Sequence, residues 1–130
     1  MLLSFGVLAA AALMPPGAAP HPFTPARPMM PLHTLFSFED YPLAARRYDQ
    51  QGQTGVVLGI AATGRVDDCV VASSSGHAAL DTATCRLLVS RARFTPARDQ
   101  AGRTVRDRYG FSIRWVLPPR PVAPPVTPTT

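Results

Sequence analysis

Apolar and polar positions alternate regularly only in the middle of the chain, from about Pro42 to Leu117. Between Gln53 and Ala62, Val56, Leu58, Ile60 and Ala62 fall on one face and Val57, Gly59 and Ala61 on the other. A strand with two fairly apolar faces is expected in the middle of a small sheet. Thr63-Gly64 is a turn signal, and Arg65 to Ser74 reads as the return strand of a hairpin. Cys69, Val71 and Ser73 share one face of that strand, and Asp68, Val70 and Ala72 the other. Ser75-Gly76 breaks the run. Ala78 to Arg91 then changes to helical spacing, with an apolar arc of Leu80, Ala83, Thr84, Leu87 and Leu88.

Thr95-Pro96 ends regular structure after the helix, and Ala101-Gly102 makes the next turn. From Val105 to Leu117, Tyr109, Phe111, Ile113 and Trp115 face one way and Arg108, Gly110, Ser112 and Arg114 the other. Half of this strand's surface is polar, so one sheet face is expected to be solvated. Ahead of the hairpin, Pro42 to Gln50 reads as a short helix with Pro42 in its first turn and Glu39 and Asp40 near its positive end. Its apolar side is expected to be Leu43, Ala44 and Tyr48, with Gly52 as its stop. The order is thus helix, strand, strand, helix, strand.

The ends differ in composition. Most of the 15 prolines fall in Pro15 to Pro42 and Pro118 to Pro128, and Tyr48 to Pro96 has none before its last residue. A chain of 130 residues therefore reads as one small domain with extended ends. Leu2 to Met14 is an apolar run of thirteen residues, which suits a signal-peptide core and falls short of the roughly 20 residues needed to span a bilayer. Small residues at Gly17, Ala18 and Ala19 allow cleavage nearby, although no Arg or Lys precedes the run. The expected division is residues 1–19 as signal peptide or short membrane anchor, 20–35 as an extended, poorly packed proline-rich linker, 36–117 as the folded domain, and 118–130 as a disordered proline-rich tail.

All 13 basic residues are arginine, against 8 acids, for a formal charge of +5. The arginines are scattered among acids, with no Gly-rich or aromatic-basic motif, so no nucleic-acid partner is expected. His21, His33 and His77 lack paired ligand spacing, and neither a metal nor a cofactor is expected. Ser73, Ser74, Ser75, His77 and Asp81 contain the residue types of a hydrolase triad, but triad members converge from separate elements beside an oxyanion hole. These residues are better read as the start of a helix, with Ser75 or a near neighbour capping it and Asp81 at its positive end. Nothing in the pattern argues for an enzyme.

Cys69 lies on the return strand and Cys85 on the flank of the helix's apolar arc. In an exported protein the two are expected to form a disulfide, closing a loop of about fifteen residues and contributing about 3 kcal/mol.

Several short motifs stand in a spacing that resembles the C-terminal domain of TonB-family energy transducers. Tyr41-Pro42 with Ala45 resembles the family's entry motif, and Gly55-Val56-Val57-Leu58-Gly59-Ile60 with Gly64-Arg65-Val66 its hairpin. Ser74-Ser75-Gly76 with Leu80-Asp81 and Ala83, and Arg93-Phe94-Thr95-Pro96-Ala97, resemble two further segments, followed by Gly102 and the aromatic last strand. The combined spacing is specific, although each motif alone is weak.

The resemblance implies an α+β fold, two helices packed on one face of a three-stranded antiparallel sheet, in the periplasm. It implies as partner the TonB box of an outer-membrane transporter, bound by strand addition, and a motor of ExbB and ExbD type where a membrane anchor is present. By position the partner-binding edge strand is Val105, Arg106, Arg108, Gly110, Ser112 and Arg114. A linker of about twenty residues reaches about 60 Å, short for crossing the periplasm. The second reading is a freestanding exported structural or assembly domain that forms a homodimer through its last strand without transducing force.

Overall fold

The computed structural model describes residues 23–119. The expected signal segment 1–19 and most of the expected tail 118–130 lie outside the described residues. Helix α2 spans Ala78–Arg91, the range set by the sequence period, and its buried residues are Leu80, Ala83, Thr84, Leu87 and Leu88. Strands β2 (Gly52–Ile60), β3 (Val66–Ser73) and β7 (Asp107–Trp115) form an antiparallel sheet in the order β3-β2-β7. The doubly apolar strand is therefore central, with both of its edges paired. Helix α2 packs across β3 and β2. Together with the short helix α1 (Leu43–Arg47) it gives the expected α+β architecture.

Two apolar clusters fill the space between the helices and the sheet. One gathers Val56, Leu58, Ile60, Val66, Leu88 and Phe94. The other joins Tyr41 and Ala45 to Leu80, Leu87 and Trp115. Trp115 stands edge-on to Phe36 at 5.5 Å and to Tyr41 at 5.2 Å, separations at which ring quadrupoles attract.

Helix α1 is shorter than the sequence indicates and buries a different side. Ala45 is buried, whereas Leu43 and Tyr48 are 78% and 70% exposed. Five residues are too few for a hydrophobic period to be read. The helix ends at Asp49 rather than at Gly52: Asp49 takes φ +52°, its N–H reaches the Arg46 carbonyl, and the Gln50 N–H reaches that of Ala45 at 2.8 Å. This is the left-handed hydrogen-bonded stop of a helix made with aspartate in place of glycine.

The largest departure lies at the N-terminal side. Residues from Thr24 onward, expected to form a loose linker, pack on the domain. Thr24 bridges Arg98, and β1 (Arg27–Pro28) pairs with β4 (Phe94–Thr95). Ala26 and Leu32 are buried in the first cluster, and the Ala26 N–H donates to Asp107 Oδ2 at 2.9 Å. Paired and buried residues of this strap add nothing to the reach of a spacer. Proline is tolerated here because β1 lies at the rim, where a missing N–H breaks no ladder.

The segment that follows the strap is held by charge. Asp40 and Arg91 form a two-pronged ion pair at 2.7 and 2.8 Å, and the same guanidinium donates to the Leu35 carbonyl. The Arg91 hydrogen bonds hold the Asp40 carboxyl well below the usual carboxylate range.

Candidate functional site

Of the residues expected at the partner-binding edge, Arg108, Gly110, Ser112 and Arg114 all lie in β7, exposed on the sheet face that carries no helix. They stand opposite Gly59, Val57, Gly55 and Gln53 of β2. The alternate residues Tyr109, Phe111 and Ile113 point to the helix side but are only half-buried, in contrast to the buried Val56, Leu58 and Ile60 of the central strand. An edge strand has a neighbour on one side only, so its apolar row keeps one flank open.

Two of the six residues sit elsewhere. Val105 belongs to a separate two-residue strand, β6 (Thr104–Val105), paired with β5 (Ala97–Arg98), and packs against the first cluster. The even alternation through Val105 hid this break, because a short strand in series with a long one can keep the same period. Arg106 leaves the edge altogether. Its guanidinium reaches across β2 to both carboxylate oxygens of Asp67 on β3. A Cβ at Gly59 would come within 2.9 Å of Asp68 Cβ and 3.4 Å of Arg106 Nη2, so the crossing needs the missing side chain.

The two sheet edges are not equivalent. β7 pairs with β2 in unbroken register over nine residues, Gly52 with Trp115 through Ile60 with Asp107. β3 pairs with β2 through two register irregularities, after Gly55 and after Gly59. It is also tied to α2 by the disulfide Cys69–Cys85, whose Cα atoms are 5.6 Å apart. Irregular pairing bends an edge and spoils it as a template, whereas a straight, regular edge presents evenly spaced backbone groups. A groove of about 660 Å³ opens at the far end of β7, lined by Phe36, Phe38, Tyr41, Ile113 and Trp115 among others.

The serine-rich loop before α2 is a hydrogen-bonded knot. Asp81 Oδ1 accepts from Thr54 Oγ1 at 3.0 Å, Ser75 N at 2.9 Å and Ser75 Oγ at 2.8 Å, and its other oxygen accepts from Ser74 Oγ. Burial acts to raise the Asp81 carboxyl, but the donors of Ser74, Ser75 and Thr54 outweigh it and leave it below its ordinary value. The cap position falls on His77, two residues after Ser75, and Ser75 Oγ accepts from the His77 backbone N–H. The carboxylate thus ties the loop to the central strand and the helix.

The disposition of β3-β2-β7 and α2 can be placed among known proteins. The solution structure of the C-terminal domain of Pseudomonas aeruginosa TonB is similar, with a TM-score of 0.53 over 74% of this chain and 90% of that one, at 23% identity. At that identity the likeness concerns the fold. No curated protein matches the chain significantly. The family profile described as Gram-negative bacterial TonB protein C-terminal matches residues 39–117. With more than half of the chain matched, including the whole of α2 and β7, the chain belongs to the TonB C-terminal family.

Proposed function

We propose that the domain is a periplasmic module that takes the TonB box of an outer-membrane transporter as an added strand along β7 and supports energy-coupled uptake through it. The observation that carries this is the contrast between edges. β7 is long, regular and backed by the half-buried row Tyr109, Phe111 and Ile113, while β3 is irregular and stapled to the helix. An extended peptide would pair its backbone with β7 and use alternate side chains to cover that row. Coupling to a motor of ExbB and ExbD type belongs to the same proposal, as does export through the apolar segment 1–19.

Pairing of the last strand with its own copy is less well supported. In the antiparallel register that uses all of β7, Asp107 faces Trp115 and Arg108 faces Arg114, twice over. Like charges directly opposite each other destabilise a strand pair.

The test is a titration of a TonB-box peptide onto the isotopically labelled full-length chain. Amide shifts concentrated in Asp107 to Trp115 are expected. No shift there, together with a dimer by light scattering, would overturn the proposal.

A further inference from the structure

We propose that the β7 edge selects extended peptides that carry two acidic residues six positions apart, one beside Arg108 and one beside Arg114, with apolar residues at the alternate positions between. This rests on the strand-addition reading and adds which sequences are taken.

Arg108 and Arg114 are six residues apart on one strand, so they share a face and stand about 20 Å apart. Both are exposed, and neither forms an ion pair among the described residues. The acids closest in register pair with neither guanidinium. Asp67 is held by Arg106, and Asp107 accepts from the backbone N–H groups of Ala26 and Arg108. Asp68 stands opposite Gly59 on the far side of the central strand, two strand spacings or about 10 Å from Arg108. The two guanidiniums therefore flank the edge as open cationic ends.

Between them lie Gly110 and Ser112. A Cβ at Gly110 would meet nothing within 4 Å, so the stretch between the arginines offers room above the sheet rather than a competing side chain. On the opposite side of the strand, Tyr109, Phe111 and Ile113 remain half-exposed. A seven-residue strand laid along β7 places its first, third, fifth and seventh residues on the arginine face and its second, fourth and sixth on the aromatic row. Acids at both ends satisfy the arginines in parallel or antiparallel orientation, because the code reads the same in both directions. The same two arginines that oppose self-pairing of β7 thus favour an acidic guest.

The probe is a seven-residue peptide with glutamates at both ends, valines at the even positions and threonines at the remaining odd ones. Its comparison peptide carries glutamines at the ends. Binding is followed on the full-length chain by fluorescence anisotropy and by the β7 amides. At low ionic strength the glutamate peptide is expected to bind about fivefold tighter, two exposed pairs each contributing modestly, and the advantage shrinks as salt is added. In the Arg108→Gln, Arg114→Gln double variant the preference should vanish while both peptides still shift the β7 amides. In the Arg108→Glu, Arg114→Glu variant it should reverse toward a peptide with lysines at its ends. Equal affinity of the two peptides for the native chain, with β7 amides shifting, would overturn the charge code and leave strand addition standing. A preference that persists in the glutamine double variant would overturn the assignment to these arginines. Absence of β7 shifts with either peptide would overturn both readings. Circular dichroism checks that each variant is folded.

Discussion

Replacing Thr84 by valine tests the polar contact at the centre of the second cluster. Thr84 is fully buried in α2; its hydroxyl donates to the Leu80 carbonyl at 2.8 Å and accepts from Trp115 Nε1 at 2.9 Å. Valine has nearly the same shape, so Thr84→Val leaves the packing in place and removes only the hydroxyl, with it the acceptor for Trp115 and the donor to the Leu80 carbonyl. The indole N–H, on a residue 4% exposed, is then buried without a partner. Leaving such a donor unsatisfied costs about 1–3 kcal/mol, less a few tenths regained from the added apolar surface. A net loss of about 2 kcal/mol would lower Tm by about 8–16 °C for a domain of this size. Thr84→Ser keeps the hydroxyl and loses a methyl, worth about 1 kcal/mol. The expected order is therefore native, then serine, then valine, the reverse of what hydrophobicity alone gives.

Urea unfolding followed by Trp115 fluorescence and by circular dichroism measures both variants. A cycle with Trp115→Phe isolates the contact: in that background Thr84→Val should cost less than about 0.5 kcal/mol, because the donor is gone. A valine variant as stable as the native chain, or a coupling below about 0.5 kcal/mol, would refute the reasoning.

Two further outcomes test the frame that holds β7. Asp81 has its carboxyl lowered from 3.8 in the folded state, so its contribution is present above that value and is lost as pH falls through the lower, folded one. Asp81→Asn should cost about 1.5–3 kcal/mol at pH 7, and in urea titrations the gap to the native chain should narrow as pH falls below 3.8; a constant gap would refute it. Reducing Cys69–Cys85, which closes a loop of sequence separation 16, should cost about 3 kcal/mol without abolishing β7 amide shifts on peptide binding. Lost shifts in a still-folded reduced chain would show that the bridge shapes the site directly.

Legibility in the sequence followed the length and regularity of each element. Ala78–Arg91 spans about four turns, enough for the 3.6-residue period to mark its ends and all five buried side chains. The strands β2 and β7 were legible for the same reason at period two. Helix α1 was not, since in five residues the period leaves several faces equally plausible, and a Tyr41–Ala45 contact with α2 and Trp115 chose among them. The strap from Thr24 to Leu32 gave no periodic signal at all. Its two buried residues, Ala26 and Leu32, are six apart in a proline-rich run, and only contacts with Phe94–Thr95, Asp107 and α2 give them a place.

The candidate site divides in the same way. Side-chain alternation, which holds wherever a chain is extended, puts Arg108, Gly110, Ser112 and Arg114 on the polar face of one strand. That this strand is an edge with regular register, that Val105 belongs to another ladder, and that Arg106 is held by Asp67 across Gly59 follow from packing between distant segments. Alternation is a local property of the backbone. Which edge stays open, and which arginine keeps its charge free, depends on contacts between residues up to 81 positions apart, as between Ala26 and Asp107, and no local pattern records them.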